Sequence, residues 1–174
     1  MKIMLRMSER EYEGLRSHLF PPRSIIEEAA FLFVTAKIGE MVRFEVEAIE
    51  KLSPVDFEVQ AEDFLEMRSE TRARLIKRAH DSGTSLVEVH SHPGPYLATF
   101  SEADRVGLAE TVPHMWWRLS KRPYAAIVFA RTGFDALVWL DSPKTAQALD
   151  ALIVGKHFLK PTNRTIMEGY DEFS

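Results

Sequence analysis

The chain has 174 residues, 45% of them apolar and 28% charged, and a formal net charge of −4. That is enough sequence for one domain with its own core, and it carries no basic excess with which to displace counterions from a nucleic acid. With no cysteine in the chain, disulfides, thiol nucleophiles and thiolate metal sites are excluded, so a transition metal would have to rest on histidine and carboxylate.

The first residues, MKIMLRMSEREYEGLR, turn charged at once. They hold neither a signal peptide nor a membrane span, and a cytoplasmic location with no membrane partner is expected. Ser8 with Glu11 three residues on forms a capping box, and Tyr12, Leu15 and Leu19 recur at helical spacing until Pro21 and Pro22 end the helix. AAFLFVTA, residues 29–36, is a continuous apolar run that predicts a strand buried on both faces. VRFEVEAIE alternates and predicts a half-exposed strand paired to it through a turn near residues 37–40. SETRARLIKRAHDSG predicts a helix that Gly83 helps to stop, and SLVEVHSH a further strand. SEADRVGLAETV opens a helix at Ser101 that Pro113 is expected to interrupt or restart. YAAIVFA and FDALVWL predict two more strands, and SPKTAQALDALIVG a last helix. The resulting order, α-β-β-α-β-α-β-β-α, is an α/β (α+β) fold in which helices cover a mixed sheet. One domain is expected over residues 1–174, with a flexible tail from about residue 160.

The chemistry concentrates in VEVHSHPGPYLATFSEAD, residues 87–104. Side chains two apart on a strand share a face, so His90 and His92 project together from the end of SLVEVHSH, and Pro93 closes the strand. Asp104 falls in the first turn of the helix that Ser101 opens, where its carboxylate can complete a His-His-Asp set. Three protein ligands leave a fourth tetrahedral position open, which marks catalytic rather than structural zinc. Such zinc lowers the pKa of bound water to ~7 and polarises carbonyls. Each part alone has a plainer reading, since Ser101 and Asp104 also form a capping box; the combination is what points to a centre. Glu88 lies on the same strand face, one step further down, and is expected beside the ligands rather than among them. The other histidines, His18, His80, His114 and His157, lie near element ends without a pattern, and Met115, Trp116 and Trp117 suit packing at a helix end.

The segment resembles the signature of the JAMM, or MPN-domain (JAB), zinc isopeptidases: a distant Glu, then His-x-His, a short loop and Ser-x-x-Asp. The loop here is one residue longer than the usual spacing. The resemblance, which includes the element order, implies a single MPN-like domain of cytidine-deaminase-like architecture holding one Zn²⁺ on His90, His92 and Asp104. It implies a general base in EEAAFLF, where Glu27 puts Ala30 at the small position of the family pattern and Glu28 would put bulky Phe31 there; Glu27 is the better fit. It gives Ser101 the role of hydrogen-bonding a developing oxyanion. It also implies a substrate, the C-terminal tail of a ubiquitin-like protein or its conjugates, with E1- or E2-like proteins as companions. A zinc at the end of a strand beside a short loop is expected in a shallow groove that takes an extended tail ending in a small residue, glycine, at the metal.

Two competing readings keep the fold and change the function: a JAMM-like hydrolase of another substrate, as in the DNA-repair-associated branch, or a metal-free MPN-type scaffold. A scaffold typically loses ligands, and all are present here. Unrelated zinc folds fail on their own terms. A nucleobase deaminase needs Pro-Cys-x-x-Cys, an amidohydrolase barrel needs ~250 residues, and a zincin needs His-Glu-x-x-His.

Overall fold

In the computed structural model the described residues are 1–169. Their elements run β1 (Ile3–Met7), α1 (Glu9–Leu19), β2 (Ala29–Ile38), β3 (Val42–Lys51), β4 (Phe57–Gln60), β5 (Leu65–Met67), α2 (Ser69–Ser82), β6 (Ser85–Ser91), α3 (Glu102–Arg118), β7 (Tyr124–Phe129), β8 (Phe134–Trp139), β9 (Gln147–Ala148), β10 (Ala151–Val154), β11 (His157–Leu159) and α4 (Arg164–Met167). Nine strands form one mixed sheet in the order β11-β10-β1-β3-β2-β6-β7-β8-β9, and β4 pairs with β5 in a separate hairpin.

Alternation along the central strands sorts side chains onto two faces. Ala30, Leu32 and Val34 of β2, Val87 and Val89 of β6, and Ala125 and Ile127 of β7 pack with Leu15 and Leu19 of α1. The opposite set, Phe31 and Phe33, Leu86, Ala126 and Val128, packs with Leu75 and Ala79 of α2 and Leu108, Val112, Met115 and Trp116 of α3. The sheet is therefore a middle layer, as its unbroken apolar strands require. Even-numbered residues of β6 face α2 and α3, which fixes the side on which His90 emerges.

Four sequence expectations need correction. The first is β1, read only as a charged N-terminal stretch. It lies in the sheet interior, parallel to β3 on one side and β10 on the other. The second is the helix expected over residues 142–155, which is instead β9 and β10. Its alanines and leucines favour helix locally, but pairing with a strand nearly the whole chain away overrides that preference. Asp150 joins the two, accepting from the Ile3 N–H through Oδ2 at 2.7 Å while its own N–H donates to the Ile3 carbonyl at 2.8 Å. Gly155, at φ +58°, then turns the chain into β11 where a Cβ would stand 2.9 Å from the Glu9 side chain. The third is Pro113, which does not interrupt α3; the carbonyl its missing N–H would have bonded belongs to Ala109, on the exposed face, where water can satisfy it. The fourth is the β4–β5 hairpin, over residues to which the sequence reading assigned no element.

Residues 160–169 of the expected tail include α4, whose Thr165 is fully buried. The rest of that expectation, residues 170–174, lies outside the described residues.

Asp56 anchors the hairpin. Its carboxylate accepts from the Ser53 N–H and the Thr71 hydroxyl, each at 2.9 Å, with Arg74 at 3.4 Å, and its carbonyl accepts from the Arg68 N–H. Burial raises its pKa, but the Ser53 amide, Thr71 and Arg74 outweigh that and hold it below the ordinary carboxylate value. A depressed carboxylate contributes stability above its unfolded pKa and loses it as pH falls through the folded value. Asp56→Ala is therefore expected to cost ~1–3 kcal/mol at neutral pH, and the gap to wild type should narrow below about pH 4. Urea midpoints measured across that range check this; a gap that does not change with pH would show that the carboxylate's charge is not what anchors the hairpin.

Candidate metal centre

The centre forms where the ends of β2 and β6 meet the start of α3. Ala29 pairs with His90 across the β2–β6 ladder, so residue 27, two before Ala29, lies on the side of the sheet where His90 emerges. The chain ahead of β2 is stitched down at several points. Ser91 donates its N–H to the Glu28 carbonyl at 3.0 Å and accepts from the Glu28 N–H through Oγ at 2.9 Å. The Glu27 N–H donates to the Ala61 carbonyl, and the Gln60 amide donates to the Glu27 carbonyl and to Glu28 Oε2, both at 3.0 Å. The result separates the two glutamates. Glu27 is 3% exposed with Oε1 3.5 Å from His92 Nε2, whereas the Glu28 carboxylate is held away by Gln60.

The His92 N–H donates to the Phe129 carbonyl at 2.8 Å, extending the ladder one residue past β6. The two imidazoles converge edge-on, ring centroids 4.9 Å apart, with their Nε2 atoms 3.2 Å from each other. Asp104 Oδ2 stands 3.3 Å from His90 Nε2 and 3.0 Å from His92 Nε2. Ligand atoms ~2.0–2.1 Å from a tetrahedral zinc are ~3.3 Å apart, so these three atoms have the spacing of one tetrahedral face. Glu27 also belongs to a group with the two histidines whose ligand atoms lie within 4.8 Å of one another. Its approach to His92, 3.5 Å, is longer than either contact of Asp104, which puts Glu27 at the margin of that face and makes Asp104 the closer third donor. The donor set therefore fits a divalent metal ion.

Ser101 is the N-cap of α3. Its Oγ accepts from the Asp104 N–H at 3.1 Å, and its N–H donates to Asp104 Oδ2 at 2.8 Å. The capping box and the metal-ligand geometry thus share one oxygen. The box fixes Asp104, and the Ser101 hydroxyl, used here as an acceptor, keeps its own proton to donate.

The electrostatics follow from burying like and unlike charges together. Burial would lower His90, but Asp104, Glu27 and Glu88 reverse this and push it up to about 9. Burial raises Asp104, yet the two imidazoles hold it well below the usual carboxylate range. Glu27 is pushed up to about 7, chiefly by burial, with His90 opposing and Asp104 and Asp63 adding to it. Glu88, raised by burial, accepts from the Tyr124 hydroxyl at 2.8 Å; it sits beside the centre, not in it.

The remaining singled-out residues lie elsewhere. His18 contacts the Ala29 carbonyl at 2.8 Å, while His80 and His157 stand at the surface beside Asp81 and Glu9. Met115 and Trp116 are packed, whereas Trp117 is 76% exposed.

Two supports of the centre escaped sequence reading. Arg131, on the β7–β8 turn, donates to the Pro93 carbonyl at 2.9 Å and the Ser24 carbonyl at 3.3 Å, tying the chain after His92 to the chain before Glu27. Nothing in its local sequence signals this. Asp135, fully buried on β8, accepts from the Thr165 N–H at 3.0 Å and the Thr165 hydroxyl at 2.7 Å, and Thr165 Oγ1 accepts from the Phe100 N–H at 3.0 Å. That chain of bonds fixes the residue before Ser101. An acid inside the apolar run FDALVWL was a readable sign that it had a buried partner.

The groove is not shallow, as the sequence reading expected. The hairpin stands up as a wall opposite α3, and between them a cleft of about 800 Å³ runs from Glu27, His90 and Asp104 over Phe31 and Phe100 to Tyr124.

Among curated proteins none matches the chain. Residues 21–133, well over half of it and spanning Glu27 through the β7–β8 turn, match the family described as prokaryotic homologs of the JAB domain. A mixed sheet between helices, with His-x-His ending a strand and Ser-x-x-Asp opening the next helix, is the structural content of that match, and the chain belongs to this family of prokaryotic JAB-domain homologs.

Proposed function

We propose that the protein is a zinc-dependent peptidase or isopeptidase that cuts after the C-terminal tail of a ubiquitin-like protein. The observation that carries the reading is the convergence of His90 Nε2, His92 Nε2 and Asp104 Oδ2 at 3.0–3.3 Å with the buried Glu27 carboxylate beside them. His90, His92 and Asp104 would hold one Zn²⁺. Bound there, the ion would supply a Lewis acid for the scissile carbonyl and a source of hydroxide near neutral pH.

The remaining work falls to the chain's own side chains. Glu27 accepts the proton of the attacking water and returns it to the leaving amine. Its position suits both, because the buried carboxylate stands beside the imidazoles, out of bulk water. Ser101, held by the cap, points its spare hydroxyl proton at the oxyanion that develops on the carbonyl oxygen. The choice of a ubiquitin-like tail, with E1- or E2-like companions in the cytoplasm, rests on the family.

The test offers a ubiquitin-like protein as a C-terminal fusion and as a lysine conjugate, with and without chelator. Metal-dependent release of one defined C-terminus is expected. Intact substrates beside zinc-loaded protein would point to a hydrolase of another substrate, and equally tight binding with and without metal would point to a scaffold.

A further inference from the structure

On the side of the sheet that carries α1, away from the cleft, arginines gather without counter-charges. Arg16 of α1 donates through its two terminal nitrogens to the Ala130 and Arg131 carbonyls, each at 2.9 Å, and its guanidinium lies 4.6 Å from the Phe20 ring centroid. Arg131 lies over the same ring at 5.5 Å while it holds the Pro93 and Ser24 carbonyls. Carbonyl oxygens satisfy these N–H groups without cancelling their charge. Among the described residues no carboxylate stands within ion-pair distance of Arg16, Arg23 or Arg131. Arg43, Arg68, Arg74 and Arg78, by contrast, each meet one.

Arg23 is displayed one residue from the carbonyl that Arg131 holds. Its turn is closed by the Ser24 N–H on the Pro21 carbonyl at 3.1 Å, with Pro22 second and Arg23 third at φ +65°. Glycine or asparagine suits that third position in a type II turn, so the arginine is kept there against backbone strain. Large apolar side chains flank the charges: Ile25, Tyr96 and Leu97 are 58%, 77% and 58% exposed. The Tyr96 ring folds back toward Gly94, where an added Cβ would meet it at 3.0 Å, next along the chain from the Pro93 that Arg131 holds. None of these residues lines the cleft.

Clustered guanidiniums without counter-charge favour an anionic occupant and suit carboxylates, which they can grip through paired N–H donors. Exposed aliphatic and aromatic side chains among them favour one that also brings apolar surface. A nucleic acid supplies anions but no aliphatic side chains for Ile25 and Leu97, and a net charge of −4 opposes so dense a polyanion. A polypeptide with a few carboxylates between apolar residues meets both conditions.

We propose that this surface docks an acidic and apolar segment of a partner protein, its carboxylates on Arg23 and Arg131 and its aliphatic side chains against Ile25, Tyr96 and Leu97. Pro93 follows His92 directly, so a partner seated there is brought beside the centre while the cleft stays open. The inference does not depend on the catalytic reading, because the seat uses neither the metal nor the cleft.

The experiment uses the full chain, zinc-loaded and after chelation, with four short fluorescein-labelled peptides in which Asp or Asn alternates with Leu or Ser. Fluorescence anisotropy is expected to give the Asp-Leu peptide the tightest binding, by ~10-fold over either single replacement, equally with and without zinc, with the aspartate share of the preference shrinking as salt rises. Arg23→Glu alters an exposed side chain and should weaken the Asp-Leu peptide by ~10-fold while leaving the Asn-Leu peptide unchanged. Tyr96→Ser should reduce the preference for Leu over Ser. Lys121→Glu, an exposed cation at the opposite end of β7, should change nothing. Equal binding of the four peptides, loss of binding on chelation, equal weakening by Lys121→Glu, tighter binding of a single-stranded oligonucleotide, or no binding at millimolar peptide would overturn the proposal. Metal-dependent cleavage of tails by a protein without this preference would sink the proposal and spare the catalytic reading. The preference in a protein that cleaves no tail would do the reverse.

Discussion

Glu27→Gln is expected to lower turnover by ~10²–10⁴-fold while the protein keeps its metal. Glutamine has nearly the same size and fits the same buried site, so the packing of Ala29 and Phe31 is preserved and the loss isolates proton transfer. Glu28→Gln provides the control. Its carboxylate accepts from Gln60 and its backbone is bonded to Ser91, but it does not reach the imidazoles. It should change rate by far less, through whatever slack it introduces at Gln60. Initial rates on one fusion substrate, with metal content measured on the same samples, compare the two. If the Glu28 variant is the dead one, the acid-base role belongs to the neighbouring residue; if neither is impaired, the centre does not use a carboxylate in this position.

His92→Ala should remove the metal, and with it all metal-dependent activity. Changing an outer partner of a metal site costs ~10–100-fold in affinity, and losing one of three donors should cost more. The fold should survive. His92 stands past the end of β6, its side chain is partly exposed, and its one ladder bond is made by backbone. The two layers of apolar side chains on either side of the sheet do not depend on it. Elemental analysis after dialysis, together with the thermal midpoint of metal-free protein, reads both halves of the statement. One metal per chain in the variant would show that the ion sits elsewhere. Asp104→Ala is the less informative substitution, because it also deletes the capping box of α3 and so lowers helix stability by ~1 kcal/mol.

These experiments concern the part of the molecule that local sequence exposed well. Period two along SLVEVHSH and a capping box at Ser101 are local signals, and they bring His90, His92 and Asp104 to one place. The family pattern alone favours Glu27 over Glu28; the ladder that pairs His90 with Ala29 is what places Glu27 on the side where His90 emerges. What escaped depends on partners far along the chain. β1 and β10 are strands because they pair with each other, and Ala-Leu-rich AQALDALIVG reads as helix until Ile3 is beside Asp150. The hairpin is too short for periodicity to register, yet it makes one wall of the cleft and so changes the site from a groove to a recess.

The bonds from Asp135 through Thr165 to Phe100 bear on what the smallest working unit is. Every residue that converges on the centre lies within the family-matched stretch, residues 21–133, and a fragment trimmed to it would look complete by inventory. It would nevertheless leave the Phe100 N–H and the Thr99 hydroxyl without Thr165, just before the helix that presents Asp104, and leave β3 without its neighbour β1. The candidate metal-binding face is thus held from outside the segment that encodes it. Transplanting the centre into another scaffold would require carrying β8 and the α4 turn along as its clamp.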